Sequence, residues 1–368
     1  MTHMSQKNII INQTNNLFMH NILIHKDCTI IQALDKLNNL NDLNDFSGLI
    51  LFVTDDNNSL VGSLTDGDIR RYLVTDGNLN VKVNDVCNRN HNFEYESSDF
   101  IDLSLYRNKE IKILPIVDKQ NRLLRIIDLK KTKAVLPIEC MIMAGGRGQR
   151  LSPLTDEIPK PMLMLGGKPI IEYNIDKLIS YGVKKIYISV KYLGQQIVDY
   201  FGDGSKKGIK IEYVWEEKAL GTAGALSLVK NFNSDHILMM NSDLFTDINF
   251  EELYLKIINN QADMVVATIP YSVNIPYAIM DIQNQLVNGF KEKPKHTYYA
   301  NAGIYLFKKE IIESIPKNSF YNATDLMESV INNNKKLIHN SITGYWVDIG
   351  QPDDYNKAKE IIKHIYTN

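Results

Sequence analysis

Cysteine is scarce in this chain: Cys28, Cys87 and Cys140 are the three among 368 residues, each more than fifty positions from the next. That spacing excludes a CxxC metal knuckle and offers no disulfide framework, so a reducing cytoplasm is the simplest expectation. A basic excess is lacking too. With 41 Lys and Arg against 43 Asp and Glu, the formal charge is -2, and the footprint that nucleic-acid backbones require is absent. No apolar run approaches the ~20 residues that cross a bilayer, and the opening MTHMSQKN has no apolar signal-peptide core. Neither a membrane nor a nucleic acid is therefore expected as a partner. None of the eight histidines forms an HxxxH pair, which argues against a zinc site. What remains is an ordinary globular composition, 44% hydrophobic and 23% charged, long enough for two domains at roughly 150 residues each.

The first third repeats itself. LFVTDDNNSLVGSLTDGD (51–68) aligns without gaps on LPIVDKQNRLLRIIDLKK (114–131), an offset of 63 residues. In each copy an apolar strand meets a turn rich in Asp and Asn and a second strand follows, which is the pattern of a hairpin. The first copy runs on into DIRRYLV, a predicted helix. These paired units resemble the cystathionine-β-synthase (CBS) domain pair, a regulatory module that often binds adenine nucleotides between its repeats. The resemblance implies that Thr65 and Asp68, in LVGSLTDGDIRRYL, contact phosphate and ribose. A threonine hydroxyl and a carboxylate suit those partners. Arg125, Asp128 and Lys131 replace Gly62, Thr65 and Asp68 in the second copy, which implies a degenerate second site. The other reading is that the pair only packs and builds a homo-oligomer.

A boundary is expected within KTKAVLPIEC (131–140), giving a CBS pair over 1–136 and a second domain over 137–368. From there strands and helices alternate. CMIMAGG, KKIYISV, KIEYVWE and HILMMNSD read as strands, and QQIVDYF and TAGALSLVKNF as helices. KPIIEYNIDKLISYG carries Ile171, Ile175, Leu178 and Ile179 at helical spacing, with Gly182 as a stop. The rhythm predicts an α/β fold with a mostly parallel, Rossmann-like sheet. Ligands of such sheets bind beyond the carboxyl ends of the strands.

The stretch MIMAGGRGQRLSPLTDEIPKP (141–161) lies at such an end. Glycines that bare the backbone beside arginine and lysine are suited to an anion. It is not a P-loop, since no Gly-Lys-Ser/Thr triplet occurs, nor a GxGxxG loop, since position 151 is Leu. It does resemble the signature GGxGTRLxPLT…PKP of the sugar-phosphate nucleotidyltransferases, with Gln149 in the usual threonine position. Five later segments match in order: EEKALGTAGAL (216–226), NSD (241–243), FKEKP (290–294), NAGIYLF (301–307) and GYWVDIGQPDDY (344–355).

The resemblance implies a GT-A-like domain that joins a sugar 1-phosphate to the α-phosphorus of a nucleoside triphosphate and releases pyrophosphate. Gly145, Gly146 and Gly148 with Arg150 would hold the departing phosphates, and Lys160 would sit on the α-phosphate side. Asp243 and Asp348 would hold Mg²⁺. Lys293 would bind the sugar phosphate, Glu292 would accept from sugar hydroxyls, and Asn301 and Gly303 would line the sugar pocket. Gly221 and Thr222 belong to the nucleotide loop. The attacking phosphate is a dianion near neutral pH, so no general base is required, and catalysis is positioning plus charge stabilisation.

Relatives that read thymine or uracil often carry Gln where this chain has Glu216. A carboxylate only accepts, and guanine offers adjacent N1–H and N2 amino donors, so GTP is the expected nucleotide. A CBS pair fused before this domain resembles the glucosamine-1-phosphate guanylyltransferases of legionaminic acid synthesis. Mannose 1-phosphate guanylyltransfer is the nearest alternative, and a nucleotide-sensing regulator without activity is an alternative of another class.

Overall fold

The computed structural model describes residues 21–41, 48–96 and 100–366; the opening MTHMSQKN, on which the signal-peptide expectation rests, lies outside them. The described residues form two compact units. One ends at Val135 and also takes in Ser180–Gly182; the other comprises Leu136–Ile179 and the chain from Val183 onward.

In the first unit β1 (Leu23–His25), α1 (Ile30–Asn41), β2 (Ile50–Thr54), β3 (Leu60–Thr65) and α2 (Asp66–Thr75) are followed by β4 (Glu94–Tyr95), α3 (Leu103–Arg107), β5 (Ile113–Val117) and β6 (Leu123–Asp128). The strands make two sheets of one plan, β1-β2-β3 and β4-β5-β6, each with a parallel pair followed by an antiparallel one. The cause is local. Asp55 Oδ1 accepts from the N–H groups of Asn57 and Ser59, and Asp118 Oδ1 does the same for Gln120 and Arg122. Asn58 and Asn121 both take left-handed backbone, φ 60° and 59°, as Asx-type turns favour. The bulge falls between Val53 and Thr54 in one hairpin and between Ile116 and Val117 in the other. The copies part after the hairpin. Thr65 caps a helix, whereas Asp128 Oδ1 accepts from the N–H groups of Lys130 and Lys131 and closes a turn.

The second unit runs β7 (Ile138–Met143), β8 (Met164–Leu165), β9 (Lys168–Pro169), α4 (Ile170–Ser180), β10 (Lys185–Val190), α5 (Gly194–Phe201), β11 (Lys210–Trp215), β12 (His236–Asn241), β13 (Leu244–Thr246) and α6 (Phe250–Asn259). It continues through β14 (Met264–Asn274), β15 (Ile279–Gln283), β16 (Leu286–Lys291), β17 (Lys295–Lys308), α7 (Ala323–Asn332), β18 (Leu337–Ser341), β19 (Trp346–Asp348) and α8 (Pro352–Tyr366). Seven strands form one sheet in the order β11-β10-β7-β12-β17-β14-β18. Only β17 runs against its neighbours. From β7 the chain winds outward through β10 to β11, then returns to place β12 on the other side of β7. That reversal opens a crevice beside the carboxyl end of β7.

Cys140, Met141 and Ile142 are all fully buried, as a strand covered on both faces requires. Met141, Tyr187, Met239, Phe307 and Leu326 belong to one core cluster. Helix α4 buries Ile171, Ile175 and Leu178 and stops before Gly182, φ 76°. The expected helix TAGALSLVKNF is instead a short 3₁₀ segment, Gly224–Leu228. The N–H groups of Ala223 and Gly224 at its start both donate to Tyr321 O. Among the described residues no helix is long and apolar enough to cross a membrane.

Both tryptophans, Trp215 and Trp346, lie in the second unit, so their fluorescence follows its unfolding. Replacing the fully buried Phe307 by Ala is expected to destabilise that unit by about 3–5 kcal/mol. Urea titration read by tryptophan emission checks this, and an unchanged midpoint would contradict the core assignment.

Candidate active site

The Gly-rich loop leaves β7 and folds back under its own short contacts. Gly148 adopts φ 70°, and a Cβ there would stand 2.9 Å from Cβ of Lys160; Thr155 Oγ1 donates to Gly148 O at 2.9 Å. A Cβ on Gly145 would stand 2.5 Å from Glu216 Oε1. Both glycines are required by packing. Gly146 differs: it is exposed, and a Cβ there would meet no protein atom within 4 Å.

Asp243 follows β12, and β13 pairs with β19 so that Leu244 stands opposite Asp348. Ile349 N–H donates to Asp243 O at 3.1 Å. Segments a hundred residues apart thus bring the two acids together. Lys160 Nζ bonds Asp243 Oδ2 and lies 3.9 Å from Asp348 Oδ1. Arg150 is near as well, its Nη2 only 3.3 Å from where a Cβ on Gly350 would stand. Burial, then the neighbouring Asp243 charge, push the Asp348 carboxyl above its ordinary pKa, while Lys160 and Arg150 oppose the rise. Asp243 Oδ1 and Asp348 Oδ1 are buried and lack a hydrogen-bond donor. A buried, unpaired carboxylate oxygen is costly. Two of them beside one lysine fit a hard divalent cation such as Mg²⁺.

Across the crevice, Glu216 follows β11 and is 8% exposed. Its Oε2 accepts from Leu220 N–H at 3.1 Å, which closes the turn ahead of Gly221. Gly221 has φ 77°, and a Cβ would fall 2.7 Å from Tyr321 O. Thr222 Oγ1 accepts from Ala323 N–H at 2.8 Å. This loop is therefore clamped to the segment that leads into α7.

These parts surround one cavity of about 440 Å³. Gly145, Gly146, Gly148, Arg150, Lys160, Glu216, Gly221, Thr222 and Asp243 all line it. Asn241, the first residue of the NSD motif, lines it too, as do Ser189 and Phe320, which sequence reasoning does not single out. Ser189 ends a strand beside the loop, which is a signal of position alone; Phe320 sits in a loop and carries none. Asp348 touches the cavity through Lys160 without lining it. Glu292 and Lys293 lie in an exposed turn between β16 and β17, outside the lining, with Lys293 at φ 42°. Asn301 is turned inward on its own strand: its Nδ2 donates to Tyr305 Oη and its Oδ1 accepts from Gly303 N–H. Gly303, φ 71°, lets the backbone pass Asn241, since a Cβ would fall 2.6 Å from Asn241 Nδ2.

In the first unit Thr65 and Asp68 do come together, and they serve each other. Asp68 Oδ2 accepts from Thr65 N–H and Oγ1, while Thr65 Oγ1 accepts from Asp68 N–H, a capping box at the start of α2. Arg71 pairs with Asp68 Oδ1.

Comparison with known proteins identifies relatives of both units. A CBS domain model matches residues 17–75. The bifunctional protein GlmU of Methanococcus maripaludis strain C7 is 33% identical over 231 residues, 60% of this chain and 53% of that protein. The chain thus spans about half the length of these GlmU relatives. D-glycero-alpha-D-manno-heptose 1-phosphate guanylyltransferase of Aneurinibacillus thermoaerophilus is 30% identical over 231 residues, 62% of this chain and 99% of that protein. Among solved structures, a Bacillus anthracis protein assigned as a glucose-1-phosphate thymidylyltransferase, crystallised with a sucrose, superposes with a TM-score of 0.51 at 25% identity, covering 61% of this chain and 94% of its own. The nucleotidyl transferase family model matches residues 139–364, and with most of the chain so matched and the cavity built from that span, the protein belongs to the nucleotidyl transferase family.

Proposed function

We propose that the chain transfers a guanylyl group from GTP to a sugar 1-phosphate, yielding a GDP-sugar and pyrophosphate. One observation carries the reading: two buried, donorless carboxylate oxygens flank Lys160, and Lys160 and Asp243 line the same crevice as a bare glycine backbone. Gly146 has no packing reason to be glycine, and a phosphate held by backbone N–H groups supplies one. A sugar phosphate oxygen attacks the α-phosphorus, a new P–O bond forms, and the bond to the β-phosphate oxygen breaks. Arg150 and Lys160 offset the charge on the phosphates, and Lys160, already held by Asp243, needs little reorganisation to do so. Asp243 and Asp348 would hold Mg²⁺, which when bound would neutralise phosphate charge and orient the oxygens for in-line displacement.

The guanine reading rests on Glu216, whose buried carboxylate borders the cavity. A uracil or thymine carbonyl opposite it would meet a second acceptor, a mismatch that buried sites discriminate against strongly. The heptose guanylyltransferase relative supports this choice. Glucosamine 1-phosphate is proposed as acceptor, for a surface glycan of the legionaminic acid type, on the resemblance of a CBS pair fused to this domain; mannose 1-phosphate is the alternative. The turn holding Glu292 and Lys293, with Asn301, is proposed to serve the sugar end. In the first unit Thr65 and Asp68 are proposed to meet an adenine nucleotide.

Pyrophosphate release with Mg²⁺, assayed for five nucleoside triphosphates against four hexose 1-phosphates, is expected to be fastest with GTP and glucosamine 1-phosphate and to stop on chelation. No turnover with any pair would leave only the regulator reading. Asp243→Asn and Asp348→Asn are each expected to lower kcat at least 100-fold with the fold retained by circular dichroism. Glu216→Gln can keep the bond from Leu220 N–H through its amide oxygen, so it is expected to cut the kcat/KM preference for GTP over UTP at least tenfold; an unchanged preference would remove Glu216 from base selection.

A further inference from the structure

Phe320 is an anomaly in this cavity. It is 63% exposed and is the one aromatic residue among those that line the cavity. Exposure alone would mean little, but the backbone on either side of it is fixed. Tyr321 N–H donates to Leu220 O at 2.9 Å, and Tyr321 O accepts from Ala223 and Gly224 N–H at 3.0 Å each. Asn318 N–H donates to Ser227 Oγ at 3.3 Å. The approach is close enough that a Cβ on Gly224 would stand 2.6 Å from Ser319 O, and one on Gly221 would stand 2.7 Å from Tyr321 O. Residues 319 and 321 are thus fastened to the loop that Glu216 closes, and the ring between them borders the cavity without being packed away.

We infer that the Phe320 ring is a stacking platform for the nucleobase. Two observations point to a flat, apolar partner beside Phe320. The Gly-rich loop, Lys160 and Asp243 bring the cavity its cations and an unpaired carboxylate oxygen. Near Glu216 the lining is Leu220, Gly221 and Thr222, which offers an edge-on acceptor and little else. An edge contact fixes a base in its plane but does not hold its faces, and an aromatic ring supplies the missing face. Because stacking tolerates any base, Phe320 sets affinity for the nucleotide while Glu216 sets which nucleotide. The inference rests on the nucleotidyl-transfer reading and not on the choice of guanine.

The test uses the full chain with whichever triphosphate the wild type turns over best. Phe320→Ala is expected to raise KM for that nucleotide roughly 5- to 150-fold, the span of base–aromatic stacking, to leave KM for the sugar 1-phosphate within about twofold, and to leave inhibition by inorganic tripolyphosphate unchanged. Phe320→Trp is expected to restore the nucleotide KM, and quenching of the introduced indole by the bound nucleotide gives a second readout free of turnover. Unchanged nucleotide KM in Phe320→Ala would overturn the inference, as would a rise confined to the sugar 1-phosphate, which would place the ring on the sugar. A wild type inactive with every triphosphate would instead remove the reading beneath it.

Discussion

Two carboxylates held side by side at the edge of a crevice repel each other, and the arrangement of this site follows from keeping them there. Backbone sets where Asp243 and Asp348 stand, through a two-strand ladder between β13 and β19 and the Ile349 N–H on Asp243 O, and Lys160 holds the Asp243 carboxylate. One lysine is shared between them, and Gly350 leaves room for Arg150 beside them. Protonation would relieve the repulsion, and the Asp348 carboxyl does rise for that reason, with burial as the larger cause. A divalent cation relieves it without losing either charge.

The same economy of backbone runs through the loops. Gly145, Gly148, Gly221 and Gly303 each stand where a Cβ would strike a neighbouring functional element: Glu216, Lys160, the Tyr321 carbonyl and Asn241 in turn. Their absence of side chain is structural. Among the glycines that line the cavity, Gly146 is the one that faces open space, which separates a glycine demanded by packing from one that suits a ligand. A glycine-rich motif in a sequence does not make that distinction.

Much of this was legible beforehand, for physical reasons that can be named. The 63-residue repeat was readable because each hairpin is closed by its own Asp and Asn, Asp55 with Asn58 and Asp118 with Asn121, and local hydrogen bonds travel with local sequence. The sheet strands were readable because strands buried on both faces are continuous apolar runs. TAGALSLVKNF reads as a helix but forms only a short 3₁₀ segment, and what holds its start is Tyr321, nearly a hundred positions away. Phe320 was invisible for the same reason, since its place is fixed by a loop it pairs with and not by anything adjacent. Glu292 and Lys293, prominent in the motif, stand outside the cavity on an exposed turn, because motif identity carries no information on how far a ribbon reaches.

The β13–β19 ladder and the clasp between residues 220–224 and 319–323 have a consequence for synthesis. Most of the parallel sheet and the whole Gly-rich loop precede residue 242 in the chain, so a growing polypeptide can lay them down early. Asp348 and the clasp arrive only near the end. Contacts of such long sequence separation close last and slowest, and a chain emerging from the ribosome therefore holds a phosphate cradle well before it holds a working site. The pairing of Asp243 with Asp348 therefore requires that the C-terminal part of the chain has folded.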